Sequence, residues 1–230
     1  MFFFFFSLQD NSIHLDRPYF KIQIIVQGMI PPARNVMLRV MQRRYSCNAS
    51  ASFNLLNLKI GYTADVQVHP NSDKMYVSKI HLSRSDPPHI KQVCSGLRDF
   101  LPRDEFQDKL VVVVDNMKKC KLRGEVSEAM VLCGDDKVGH VQPCRPAIMD
   151  QALIGEQVVL ENSPLNPQPT SRRIKTSEWE DVSSRLYVNA DKKAVYRDAE
   201  TGQEHVLCVY QDGQSIPIVV DSLPQGSPIR

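Results

Sequence analysis

The chain has 230 residues, of which 42% are hydrophobic, enough to bury a substantial core and incompatible with disorder throughout. Its formal net charge is only +2. A strong global field is therefore excluded, and any nucleic-acid surface must come from local clustering of Lys and Arg.

The first fifty residues read differently from the rest. No acidic residue occurs between Asp16 and Asp65, while Arg17, Lys21, Arg34, Arg39, Arg43, Arg44 and Lys59 accumulate there. The segment Met37 to Ser46 is Arg-rich and acid-free, with Leu38, Val40, Met41 and Tyr45 supplying apolar surface. That is the composition of a mitochondrial transit peptide, and a mitochondrial location is expected. The alternatives are a cytoplasmic protein with a basic disordered arm, or a true start at Met29 or Met37. The run Phe2 to Phe6 has no preceding basic residues and falls well short of the ~20 apolar residues a bilayer-spanning helix needs, so neither secretion nor a membrane partner is expected.

From about residue 53 the pattern turns to short β-branched runs separated by turn signals: Leu58 to Val68, Tyr76 to Leu82, Val93 to Cys94, Leu110 to Val114, Ser127 to Cys133 and Gln157 to Leu160. Val111 to Val114, flanked by Lys109 and Asp115, reads as a central strand buried on both faces. Pro102 and the acidic residues after it predict one short helix just before that strand. Five strands with one helix make an oligonucleotide-binding barrel, so the expected class is mainly β. Past residue 160 come Pro164, Pro167 and Pro169, then Arg172, Arg173 and Lys175, then strand-like runs at Val206 to Tyr210 and Ile216 to Val220. The expected organisation is a basic segment 1–52, a barrel at 53–158 and a small β-rich C-terminal domain at 159–230.

The six cysteines form no C-x-x-C pair and mostly sit in apolar runs, as reduced thiols do. A zinc site would need Cys133, His140 and Cys144 plus a fourth ligand, without a tight pair to begin it, so no metal and no cofactor are expected. Nor does the chain carry a nucleotide-binding glycine loop or a G-x-S-x-G elbow, so no enzyme is expected.

The barrel region carries more specific text. Leu58-Lys-Ile-Gly61 is followed by His69-Pro-Asn-Ser-Asp-Lys-Met-Tyr-Val77, then by Val93-Cys-Ser-Gly-Leu97, then by the block running from Asn116-Met-Lys-Lys-Cys-Lys-Leu-Arg-Gly124 to Ser127-Glu-Ala-Met-Val-Leu132. Together these resemble the tRNA-binding domain of the endothelial-monocyte-activating polypeptide II type, found in eukaryotic aminoacyl-tRNA synthetase cofactors; Ser72 and Met75 depart mildly from its H-P-x-A-D-x-L-Y-V. Leu165-Asn-Pro167, Lys175 and Trp179 resemble the family's eukaryotic C-terminal extension, loosened by the insertion Gln168 to Ile174. The resemblance implies non-catalytic tRNA binding, a synthetase as a candidate partner, and a pseudo-dimeric monomer in which the extension occupies the place of a second protomer. The alternative is a protein-docking scaffold of a synthetase complex.

Lys118, Lys119, Lys121 and Arg123 lie close together after the central strand, dense enough to neutralise several phosphates. Ser127 and Met130 match the family's S-x-x-M, a hydroxyl for phosphate or base edge and a thioether for a base face. Strand alternation sets those two on opposite faces, which favours Ser127. Asn116 either caps the turn or touches RNA. Lys74 is expected to meet phosphate, while His69 and Asp73 are expected to hold their loop together. Aromatic residues are too scattered for a stacking ladder, so recognition of tRNA shape and backbone is expected rather than of sequence.

Overall fold

The computed structural model describes residues 53–162 and 172–230. The basic segment 1–52, with its targeting expectation, and the proline-rich stretch 163–171 lie outside the described residues.

The first layer is an antiparallel barrel sheet of β1 (Leu58–Val68), β2 (Tyr76–His81), β3 (Ile90–Ser95), β4 (Leu110–Val114) and β7 (Met130–Val131), in the order β3-β2-β1-β4-β7. Alternate residues of β4 serve two different cores. Val111 and Val113 pack with Val66, Tyr76, Ile80 and Val93 inside the barrel. Leu110, Val112 and Val114 pack outward in one cluster with Leu58 and Ile60, the cross-strand neighbours of Val114 and Val112. Period-two geometry on a strand covered on both sides explains the unbroken apolar run.

Strand β1 has no room for a side chain at Gly61: a Cβ there would come within 2.5 Å of the Ile80 side chain and 2.9 Å of Val113. Beyond it, the register shifts between Thr63 and Asp65, a bulge that bends the strand into the barrel wall. The Thr63 hydroxyl accepts from the Lys109 N–H at 3.0 Å and donates to the Phe106 carbonyl. It thereby locks the helix α1 (Arg103–Phe106) below the entry of β4.

The run Ser127 to Cys133 is not one strand. It divides into the end of β6 (Glu125–Ser127, paired with β5, Cys120–Leu122), then β7, then β8 (Cys133–Asp135, paired with β9, Val141–Pro143). The Ser127 hydroxyl accepts from the Cys94 N–H at 3.1 Å and donates to the Ala129 carbonyl at 3.0 Å. These side-chain bonds to backbone compete with the ladder and turn the chain out of line.

The remaining strands are β10 (Arg145–Pro146), β11 (Val159–Leu160), β12 (Leu186–Val188), β13 (Ala194–Arg197), β14 (Glu204–Gln211) and β15 (Gln214–Val219). They form a second sheet in the order β10-β15-β14-β13-β12, with β11 alongside β14. The C-terminal part also holds a helix, α2 (Thr176–Ser183), where the sequence suggested only strands. Its signal is present: Glu178 accepts from the Lys175 N–H at 2.9 Å, and an acid in the first turn favours a helix start.

The second sheet lies against the outer face of β1 and β4. Tyr196, Leu207, Val209 and Ile218 share one buried cluster with Leu58, Ile60, Leu110, Val112 and Val114. Phe53 meets Tyr196 with ring centroids 5.2 Å apart. The segment ending at Arg230 then returns to the barrel, Ile229 bridging Gly134 of β8.

Candidate nucleic-acid interface

The site is built on the exit of β4. Asp115 there is nearly buried between two cations: Lys59 at 3.0 Å, and Lys91, which also donates to the Asp115 carbonyl oxygen at 2.7 Å. Burial pushes the Asp115 carboxyl up, but the hydrogen bonds from Lys91 and Lys59 outweigh it and hold the group below its ordinary value.

Asn116 follows, 5% exposed. Its Oδ1 accepts from the Asn57 N–H at 3.0 Å, and its Nδ2 donates to the carbonyls of Leu55 at 2.8 Å and Arg172 at 2.9 Å. The Ile174 N–H donates back to the Asn116 carbonyl at 3.0 Å. Asn116 is thus a fastener between the barrel and the segment entering α2. With its polar atoms spent on the protein, it is withdrawn from direct RNA contact.

From this anchor rises the β5–β6 hairpin. Its turn uses two left-handed residues, Arg123 (φ +46°) and Gly124 (φ +110°), the geometry that matches the twist of a tight hairpin. The turn rests on the loop after β1. His69 Nδ1 accepts from the Asn71 N–H at 3.0 Å, which leaves Nε2 to donate to the Leu122 carbonyl at 3.0 Å. Asn71 Nδ2 donates to the Arg123 carbonyl at 3.0 Å. His69 therefore holds its loop as expected, by binding backbone, while Asp73 pairs with Arg98 at 3.5 Å.

This framework sets Lys118, Lys119, Lys121 and Arg123 at the surface, with Lys74 exposed on the neighbouring loop. Lys119 pairs with Glu128 at 2.5 Å, and that hydrogen bond, against a smaller opposing effect of burial, holds the Glu128 carboxyl below its usual range. One cation joins the array that sequence adjacency did not reveal. Arg173 from the segment before α2 lines, with Lys119, Glu128 and the Lys91–Asp115 pair, a cleft of about 220 Å³ at the foot of the hairpin. The basic stretch at Arg172 and Arg173 is legible in the sequence, but its position beside Lys119 depends on the Asn116 bonds.

Ser127 and Met130 fall on different strands, β6 and β7, so the alternation expected along one strand does not apply, and it is Ser127 that is withdrawn. Ser127 is 4% exposed and its hydroxyl is engaged within the protein. Met130 is half-buried and lines a larger groove of about 640 Å³. Ser127 is withdrawn because its hydroxyl is bound to the backbone of Cys94 and Ala129.

The three residues a zinc site would draw on differ in character. Burial pushes the Cys133 thiol up to about 12 and the Cys144 thiol well above its ordinary value, while the His140 ring pairs with Asp136 at 2.6 Å. Among the described residues no group of three His, Cys, Asp or Glu side chains is placed to hold a metal ion.

Comparison with known proteins bears on this surface. A family model described as a putative tRNA binding domain matches residues 58–149. The chain is 33% identical over 147 residues to a probable methionine–tRNA ligase of Oryza sativa subsp. japonica, a match covering 62% of this chain and 17% of the relative. It is 31% identical over 144 residues to the aminoacyl tRNA synthase complex-interacting multifunctional protein 1 of Cricetulus griseus, covering 62% of this chain and 38% of the relative. The chain thus spans well under half the length of these relatives. Among solved structures it is similar to the C-terminal domain of Plasmodium vivax p43, with a TM-score of 0.61 at 26% identity, covering 77% of this chain and 98% of that one.

Proposed function

We propose, on the match of residues 58–149 to a family model described as a putative tRNA binding domain, that this chain is a non-catalytic tRNA-binding protein that reads tRNA shape and backbone and works beside an aminoacyl-tRNA synthetase. The observation that carries this reading is the exposed array Lys118, Lys119, Lys121 and Arg123 on a hairpin braced by His69 and Asn71, with Arg173 at its foot. A braced array meets phosphates with little ordering cost. The relationship to a synthetase-complex-interacting protein supports a synthetase partner. The similarity to 17% of a probable methionine–tRNA ligase reaches only a small part of that protein; binding without catalysis is the reading for this chain.

Monomeric state, the division at residues 158/159 and a mitochondrial location belong to the same proposal. A monomer is supported by the chain's own Leu207, Val209 and Tyr196 covering the outer face of β1 and β4. The acid-free N-terminal stretch supports import. Among the described residues no helix is long and apolar enough to cross a membrane.

The test is tRNA binding by the full chain across a salt titration, with an equal-length duplex RNA as competitor. Tight, steeply salt-dependent binding that prefers tRNA is expected, and removing the four hairpin cations should flatten the salt slope by about one unit per lost phosphate contact. Weak binding without preference would favour the scaffold reading. That reading is supported by Ile148 and Met149, exposed at 45% and 48%; Met149 borders a separate groove of about 540 Å³ with Phe106, Pro143, Asp104 and Glu105.

A further inference from the structure

The groove lined by Met130 has features of a ligand site that the basic hairpin does not account for. Its volume of about 640 Å³ falls in the range of small-ligand pockets. Phe100 opens into it while 44% exposed, and its position is held by a turn in which its N–H donates to the carbonyl of buried Leu97 at 3.0 Å. Met130 adds a polarizable thioether to the same lining.

Two cations, Lys137 and Arg230, also line the groove. Arg230 arrives from the far end of the sequence: its N–H donates to the Cys133 carbonyl at 2.8 Å and its carbonyl accepts from the Cys133 N–H at 2.9 Å. Asp135 pairs with its guanidinium and aims it, while the side chain stays 64% exposed. Of the charged side chains in the lining, Asp135 is bound to Arg230, and Lys137 stands beside that pair. Cys94 lines the groove as well, and its N–H is the donor to Ser127 at the base of the hairpin. The groove wall and the base of the hairpin are thus joined by one hydrogen bond.

Resting on the tRNA-binding reading, we propose that this groove takes one unstacked nucleotide of the bound RNA, its base against Phe100 and Met130 and its phosphate at Lys137 and Arg230. An aromatic face beside a thioether accepts any base, because every base has a π-face. Lys137, with the exposed Arg230 guanidinium, favours a ligand carrying an anion over an apolar peptide side chain. The C-terminal segment, through Arg230, completes an RNA subsite on the barrel.

The experiment compares the full chain with Phe100→Ala, Phe100→Trp and Arg230→Gln. The ligands are a tRNA transcript, the tetranucleotide of four adenylates and its abasic counterpart, with thermal melts to establish that each variant is folded. The wild type should prefer the base-containing tetranucleotide to the abasic one by roughly five- to hundredfold, the range given by one stacked base. Phe100→Ala should abolish that preference and Phe100→Trp should retain it. Arg230→Gln should weaken both ligands and lower the salt slope by about one. If the wild type binds tRNA but shows no preference for bases, or Phe100→Ala keeps it, this subsite is overturned and the tRNA-binding reading stands. If the wild type does not bind tRNA, both fall. Loss of synthetase binding by Phe100→Ala, with RNA binding unchanged, would make the groove a protein-docking site and also overturn the subsite.

Discussion

The side-chain amide of Asn116 donates to the carbonyl of Arg172 at 2.9 Å, joining residues 56 positions apart. Through this bond the exit of the barrel's central strand holds the segment that carries Arg173 beside Lys119. The basic surface is thus composite, drawn from both the barrel and the segment that follows it.

Asn116→Ala should destabilise the fold by about 1–3 kcal/mol, since the Asn57 N–H and the Leu55 and Arg172 carbonyls lose their partner in a buried setting. Denaturant unfolding measures the loss. tRNA affinity should also fall, because Arg173 is no longer held at the cleft. A midpoint equal to that of the wild type would mean water replaces all three bonds.

Asp115 confers an acid dependence. A carboxyl held below its ordinary 3.8 contributes stability that is in place above about pH 4 and is lost as the pH falls through its folded value. The melting temperature of the wild type should therefore fall more steeply below about pH 4 than that of Asp115→Asn. At neutral pH the variant should be the less stable of the two, because Lys59 and Lys91 lose their counter-charge. Parallel curves would remove Asp115 from the acid response.

Gly61→Ala tests the packing of β1 on β2 and β4. The added methyl would sit 2.5 Å from Ile80 Cγ2 and 2.9 Å from Val113 Cγ2, and overpacking of that kind costs about 1–3 kcal/mol. Gly61→Val should be worse. Unfolding midpoints of the two variants should rank in that order below the wild type; equal midpoints would show that the barrel relaxes around the new atoms.

Cys120 reports on the RNA face. It is exposed on β5 between Lys119 and Lys121, whereas Cys94, Cys133, Cys144 and Cys208 are buried. In a Cys47→Ser background, alkylation followed by peptide mapping should modify Cys120 first. Saturating tRNA should slow that modification, and excess salt should restore it. Equal rates with and without tRNA would place the RNA elsewhere on the molecule.

Much of the barrel is legible in the order of its residues. Leu58 to Val68 and Leu110 to Val114 are the strands β1 and β4 to the residue, because β-branched runs with turn signals at both ends record local geometry directly. The cations of the hairpin are likewise a matter of adjacency. The interruption at Ser127 is not legible in this way, because it follows from a bond to the Cys94 backbone 33 residues away. Helix α2 escapes the sequence pattern because strand-like runs around it outweigh the modest signal of Glu178 near its start.

The sequence by itself determined the strand pattern, the basic hairpin and the resemblance to a tRNA-binding domain, since each is written in contiguous residues. Only the tertiary structure decided which side chains remain available to a ligand. Asn116 and Ser127 carry suitable polar groups, yet they lie inside with those groups paired, while Arg173 and Arg230 are brought to the barrel from its C-terminal layer. Whether a polar atom is spent on the protein or left for RNA depends on long-range hydrogen bonds and on burial, and neither is encoded in the spacing of neighbouring residues.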